Sequence, residues 1–187
     1  TNNYGEVLCP VYSPDGKYIA YIGKEEGNTE IYIMPSSGGQ SKRITYEGGF
    51  IVNIAYWQGD NIIYSSSVES AFARTFALRS VSFKGGESTS LNLGVSNHIA
   101  YSNKNIVVGK NTGDLARWKR YKGGTAGKLL IDLNKKNIFI ELIQLKGNLS
   151  CPMYIGDRIY FLSDHQGISN IYSCLKNGKS LNKHTHH

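Results

Sequence analysis

The residues that most resemble catalytic machinery in this sequence are Asp164-His165, considered together with scattered serines. Serine, histidine and aspartate are the side chains of a hydrolytic triad. The sequence has no Gly-x-Ser-x-Gly turn to present a nucleophilic serine. The segment Asp164-His165-Gln166-Gly167 instead has the composition of a hairpin turn. We interpret it as a turn and assign no catalytic residue.

Two further segments have the residue types of ligand sites but not the spacing. The segment KGGTAGKL, residues 122–129, resembles a phosphate-binding loop. However, Lys122 stands where that loop needs glycine, and Leu129 stands where it needs serine or threonine. The terminal His184, His186 and His187 are too few and too close together to form a closed metal site. The sequence therefore predicts no cofactor and no metal.

A basic and aromatic segment lies just before the glycines of KGGTAGKL. It can be a solvated insert whose tryptophan packs on its own sheet under the stems of lysine and arginine, which is the interpretation we favour. It can also be a surface that attracts peptide carboxylates, with nucleic acid as a lesser alternative. Under the second interpretation the contacting residues are Arg117, Trp118, Lys119, Arg120 and Lys122.

Composition indicates the elements that must position these residues. The 187 residues include 13 Tyr and 21 Gly but only 4 Pro, which suits short strands and tight turns. The formal charge of +7 is typical of a lysine-rich solvated surface, although an anionic partner is a second possibility. Three cysteines favour a reducing, cytoplasmic setting. The short apolar runs predict no membrane association.

An internal repeat predicts how the strands are organised. Cys9-Pro10 recurs as Cys151-Pro152, at an offset of 142, and Ile31-Tyr32 recurs 140 residues later. An offset of 140 is three steps of about 47 residues, close to the length of a propeller blade. Weaker copies with second strands near Asn61 and Asn105 fill the interval. The repeat places Cys9 and Cys151 on equivalent strands of different blades, so we expect no disulfide between them.

The strands KYIAYI, EIYIM and RIYFL are apolar on both faces, as expected when each sheet is covered by a neighbour on either side. We therefore predict an all-β propeller of four four-stranded blades, near residues 6–49, 50–94, 95–147 and 148–187. The sequence supplies no strand to close a ring, so we expect an open arc.

The repeat S-P-D-G-K-x-I-A with G-N-x-x-I-Y-x-M and R-I-T, residues 13–45, resembles WD-like propeller repeats of the TolB, prolyl oligopeptidase and tricorn types. The segment ARWKRYKGGTAGKLLIDLN, residues 116–134, which we place between the second and third strands of its blade, selects among them. It resembles an insert of the tricorn protease amino-terminal propeller. The resemblance covers essentially the whole chain.

That resemblance implies four blades of a six-bladed propeller in a large cytoplasmic, archaeal or bacterial serine peptidase. The family degrades oligopeptides released by the proteasome and assembles as a homo-hexamer. Its catalytic residues lie in a distant carboxyl-terminal region, so this chain would serve as gate, channel wall and assembly surface. Its implied partners are peptides and other parts of the parent, and not nucleic acid or membrane. The alternative is a stand-alone TolB-type interaction propeller.

One departure from the family concerns a basic pair thought to grip the carboxyl ends of substrates. Family members carry that pair in a longer loop after the first of these blades. Here only Glu47-Gly48-Gly49 separates Tyr46 from the next strand. The sequence thus predicts that the pair is missing or supplied elsewhere.

Overall fold

The structure is a computed structural model that describes residues 7–68, 70, 75–111 and 123–187. These residues form sixteen strands and no helix. The prediction of an all-β chain with four four-stranded sheets is confirmed. The chain divides into two compact units, Thr1–Val95 and Ser96–His187, each of which contains two of the sheets.

The first unit contains two antiparallel meanders in which strands pair in the order of the sequence. The strands of its first blade are β1 (Leu8–Tyr12), β2 (Tyr18–Gly23), β3 (Glu30–Pro35) and β4 (Lys42–Arg43). Those of its second blade are β5 (Ile51–Gln58), β6 (Asn61–Ser66), β7 (Ala77–Ser82) and β8 (Thr89–Val95).

The second unit repeats this arrangement. Its first blade contains β9 (His98–Tyr101), β10 (Asn105–Lys110), β11 (Lys128–Leu133) and β12 (Phe139–Glu141). Its second blade contains β13 (Leu149–Ile155), β14 (Arg158–Ser163), β15 (Asn170–Leu175) and β16 (Asn182–Lys183). The predicted insert, residues 116–134, extends too far at its carboxyl end. Lys128–Leu133 is the third strand of this blade and pairs with β10 along its whole length.

Burial explains why the middle strands lack a polar face. Two successive residues of β2, Ala20 and Tyr21, point to opposite faces of the sheet and are both buried. In the first unit, Ile22 and Ile31 of one blade share a core with Ile62 and Tyr64 of the other. The second unit is built in the same way, with Leu129 and Ile131 packed in one core with Ile159 and Phe161. Each sheet therefore buries apolar side chains against its neighbour in the unit.

The internal repeat is visible in the hydrogen bonds that close each blade. In the first blade, the amide of Ile31 donates to Thr45 Oγ1 at 2.8 Å. In the last blade, the amide of Ile171 donates to Thr185 Oγ1 at 2.9 Å. The same atoms meet 140 residues later, so the sequence offset corresponds to a repeated tertiary contact.

The Cys-Pro pairs also occupy one structural position. Cys9 and Cys151 each have φ of 51°, and each lies within an irregularity in the pairing of the first strand with the second. A left-handed backbone is uncommon for a residue other than glycine. All three cysteines are free thiols, which confirms that Cys9 and Cys151 form no disulfide.

Candidate functional site

The segment that looked most like a hydrolytic site is a structural turn. Ser163 Oγ lies 3.1 Å from His165 Nδ1, but Ser163 is fully buried at the end of β14. The amide of Gly167 donates to the carbonyl of Asp164 at 2.7 Å, which closes the turn. Burial lowers the pKa of His165, and its ring packs against Tyr172 with centroids 4.6 Å apart. A buried serine cannot reach a peptide bond, so this pair is not a usable nucleophile.

Asp164 contributes to packing within the second unit. Its carboxylate accepts hydrogen bonds from the backbone N–H of Asn148 at 2.6 Å and from the side-chain Nδ2 of Asn148 at 3.2 Å. Asn148 Oδ1 in turn accepts from the amide of Gly127 at 3.1 Å. Asp164 is 1% exposed. The carboxylate therefore connects β14 to the segments that enter β11 and β13, rather than orienting a catalytic histidine.

A cavity of about 480 Å³ lies where the insert meets β11, and its lining comes entirely from the second unit. This volume is within the usual range of small-ligand sites. Part of the lining is glycine because the neighbouring backbone approaches closely. A Cβ atom on Gly127 would lie 2.5 Å from the carbonyl oxygen of Leu149. The lining residues are Gly123, Gly124, Ala126, Gly127, Lys128, Glu141, Gln144, Leu145, Lys146, Gly147 and Leu149.

Charged side chains surround this cavity with a small positive excess. Lys128 Nζ lies 3.5 Å from Glu141 Oε1, and Gln144 Nε2 donates to Glu141 Oε2 at 3.2 Å. Lys146 is exposed and adds a second cation. Ammonium groups beside an amide and backbone dipoles can hold a carboxylate or a peptide carbonyl. Sequence reasoning missed Gln144 and Lys146, because their positions next to the glycines depend on packing between the two blades of the unit.

The basic residues proposed from the sequence adjoin this cavity in the chain but lie outside the described residues. They are Arg117, Trp118, Lys119, Arg120 and Lys122. Among the residues that the structure does describe, no group of three or more His, Cys, Asp or Glu side chains is placed to hold a metal ion. No helix in the described ranges is long and apolar enough to span a membrane.

In each unit, the first strands of the two blades lie side by side. Exposed apolar side chains lie on both first strands of the first unit and on β13 of the second. In the first unit these include Leu8 and Tyr12 on β1, with Val52 and Tyr56 on β5. In the second unit, Met153 and Ile155 of β13 are 47% and 57% exposed. Single exposed apolar groups are common on proteins, whereas contiguous exposed apolar patches mark binding surfaces.

The short connection between the first two blades has a structural role. Glu47 follows the last strand of the first blade, and its amide donates to Glu30 Oε2 at 3.2 Å. Its carboxylate lies in the second blade, where Tyr64 Oη donates at 2.7 Å and Arg79 Nε lies 3.1 Å away. The Glu47 side chain is 4% exposed. The short connection therefore joins two blades through a buried carboxylate, a role that sequence reasoning did not assign.

Comparison with known proteins gives one consistent result. Residues 1–187 match the profile of the tricorn protease N-terminal beta propeller domain. The chain is 36% identical over 180 residues to tricorn protease homolog 1 of Streptomyces coelicolor, covering 94% of this chain and 17% of that relative. It is 34% identical over 194 residues to the tricorn protease of Thermoplasma acidophilum, covering 98% of this chain and 18% of that relative.

A solved structure agrees with the sequence comparison. The crystal structure of the tricorn protease matches with a TM-score of 0.87 and 32% identity, over 100% of this chain and 19% of that one. The chain thus spans less than a fifth of the length of these relatives. Together with the four antiparallel blades, these matches show that the chain belongs to the tricorn protease N-terminal β-propeller family.

Proposed function

We propose that this chain is a non-catalytic propeller segment of a tricorn-like serine peptidase that degrades oligopeptides downstream of the proteasome. It would form part of a channel or gate wall and an assembly surface. The parent would be a cytoplasmic enzyme, and its remaining domains and further subunits, as a homo-hexamer, are the proposed partners. The observation that carries the proposal is the set of exposed apolar side chains on β1 and β5, the neighbouring first strands of the first unit, and on β13 of the second unit.

The first strands suit a surface along which peptides move. Tyr12 is 64% exposed and Met153 47% exposed, and such side chains contact peptides of varied sequence without fixing one register. The serine and histidine closest to catalytic geometry, Ser163 and His165, serve a buried turn. These two observations favour a role in peptide transit or gating over a role in catalysis.

The insert and the cavity at its base are the proposed peptide-contacting site. The basic residues Arg117, Lys119, Arg120 and Lys122 precede, in the sequence, the segment that lines a cavity whose edge carries Lys128 and Lys146. Clustered cations raise the local concentration of peptides through their carboxylates. Under this proposal Trp118 supplies an apolar contact beside them, and the attraction weakens as salt is added.

The test uses the full-length peptidase, with hydrolysis of a short chromogenic peptide and of an oligopeptide of roughly ten residues measured separately. Met153→Trp adds bulk to the first strand of the last blade, and Ser37→Trp places the same side chain in an exposed turn. We expect Met153→Trp to lower kcat/KM for the oligopeptide severalfold and to leave the short peptide unchanged. Ser37→Trp should affect neither. Equal oligopeptide rates in the two variants would contradict a channel role.

A second part of the experiment tests whether this chain hydrolyses peptides on its own. The isolated chain should hydrolyse neither peptide, whereas the full-length peptidase should hydrolyse both. Turnover by the isolated chain that is lost in Ser163→Ala would show that the turn is catalytic and would overturn the proposal.

A further inference from the structure

A cysteine and a histidine from different blades meet in the second unit. Cys151 Sγ lies 3.6 Å from His98 Nε2, which is within hydrogen-bonding distance for sulfur. Cys151 belongs to β13 and His98 to β9, and these first strands lie side by side. Both side chains are partly exposed, so a small molecule can approach them. A thiol beside an imidazole is the arrangement by which proteins generate a thiolate.

The histidine is in the form that can accept the thiol proton. Burial lowers the pKa of His98, so the imidazole is neutral near pH 7. In the tautomer with its proton on Nδ1, the nitrogen that faces the Cys151 sulfur, Nε2, is an acceptor.

The chain contains two internal comparisons for this thiol. Cys9 occupies the same repeat position, has the same φ of 51° and is also partly exposed. Its sulfur, however, has a backbone carbonyl, that of Val52, as its neighbour at 3.9 Å. Cys174 is fully buried, and burial raises the pKa of its thiol to about 11. Exposure and backbone are thus matched between Cys9 and Cys151, and the imidazole is the difference.

We propose that Cys151 and His98 form a reactive pair that takes up low-molecular-weight disulfides as a reversible mixed disulfide. His98 Nε2 accepts the proton of Cys151 Sγ, and the thiolate attacks one sulfur of the disulfide. The S–S bond of the small molecule breaks while a new bond forms to Cys151. The departing thiolate takes the proton back from the imidazolium, so one thiol is oxidised and one is released. The inference does not depend on the proposed channel role.

The position of the pair gives the modification a structural consequence. Met153 and Ile155 follow Cys151 on the same strand and are among its exposed apolar residues. A mixed disulfide adds a bulky polar group next to them. It would change the surface formed by the first strands without disturbing the buried core.

The experiment compares the three cysteines within one protein. The full-length protein is treated with substoichiometric dithiodipyridine and, separately, with oxidised glutathione, then quenched in acid, digested and analysed by mass spectrometry. We expect Cys151 to react roughly tenfold faster than Cys9 near neutral pH, and Cys174 to react only after unfolding. Equal rates at Cys9 and Cys151 would overturn the proposal.

The pH dependence separates base assistance from simple exposure. If the imidazole assists, the Cys151 to Cys9 rate ratio should shrink toward one as pH rises above about 9, because hydroxide then replaces a neighbouring base in deprotonating thiols. If Cys151 is merely more accessible, the ratio stays constant with pH, and the proposal is wrong. This measurement needs no variant and is therefore independent of any folding defect.

A variant completes the test. In His98→Gln we expect the Cys151 rate to fall to that of Cys9, while the Cys9 rate stays unchanged. His165→Gln is the matched control, since it removes a histidine of the same unit that contacts Ser163 and Tyr172. Continued protection of Cys174 reports that each variant is folded. An unchanged Cys151 rate in folded His98→Gln would refute the role of the imidazole.

Discussion

Replacing Arg79 by methionine should lower the free energy of unfolding by about 3 kcal/mol, because it leaves the Glu47 carboxylate buried without its cation. Arg79 Nε lies 3.1 Å from Glu47 Oε2, and the two side chains are 11% and 4% exposed. Tyr64 and Ser66 also donate hydroxyl hydrogen bonds to this carboxylate. The cluster joins the connection after the first blade to the interior of the second.

The magnitude follows from this geometry. Two unit charges 3.1 Å apart attract by about 5 kcal/mol at an effective dielectric constant near 20. Removing one member of a buried pair typically costs about 3–5 kcal/mol. The Tyr64 and Ser66 hydroxyls remain to solvate the carboxylate, which places the expected cost at the lower end of that range. Glu47→Gln in the Arg79→Met background should recover part of it, because an amide needs no counter-charge.

The assay is urea unfolding followed by tryptophan fluorescence; Trp57, one of the two tryptophans, is buried in the same blade. Lys17→Met is the matched control. Lys17 Nζ also pairs with a carboxylate, that of Asp15 at 3.3 Å, but the two side chains are 75% and 53% exposed. Solvent screens such a pair, so the unfolding midpoint should not change measurably. If Arg79→Met and Lys17→Met shift the midpoint equally, burial does not determine the strength of the Glu47 pair and the reasoning is refuted.

Three further predictions use the same unfolding assay. Gly127→Ala should cost about 2 kcal/mol, because its Cβ would lie 2.5 Å from the Leu149 carbonyl oxygen. Gly124→Ala, with open space around the new methyl group, should cost nothing, and equal losses would show that the backbones separate easily. Thr185→Val should cost about 1 kcal/mol by removing the hydroxyl that accepts a hydrogen bond from the third strand, and an unchanged midpoint would mean that water replaces it. Burial lowers the pKa of His165 below its ordinary 6.5, so the unfolded chain binds this proton more tightly and stability falls as pH drops below about 6.5. His165→Gln should lose less stability than the wild type between pH 7 and pH 5, and a parallel decline would assign the acid sensitivity to other groups.

Local chemistry made most of the secondary structure predictable. Turn residues at Asp15-Gly16 and Gly156-Asp157 precede second strands that begin at Tyr18 and Arg158, as the sequence indicates. Apolar residues on both faces of a strand implied burial on both sides, and Ala20 and Tyr21 are buried accordingly. The insert was placed less well, since its last residues alternate as a strand and pair with β10.

The candidate site was less predictable, because its geometry depends on contacts between residues far apart in the chain. The basic run at residues 117–122 was recognisable from composition alone, but the cavity lined by the glycines that follow it in the sequence requires Gly127 to approach the backbone of β13. Lys146 and Gln144 are ordinary polar residues in the sequence. They reach the cavity edge only because β11 and β13 pack together.

By itself, the sequence determined the repeat, the all-β class and the family, because strand patterns, turns and repeat spacing are local properties of the chain. Only the tertiary structure decided which polar groups meet. Glu47 and Arg79 are 32 residues apart, and Cys151 and His98 are 53 apart. No local pattern marks either pair, because each forms when two blades pack and bring their polar groups into a space with little water. The free energy of desolvating those groups depends on that packing, and so does the chemistry available to the Cys151 thiol.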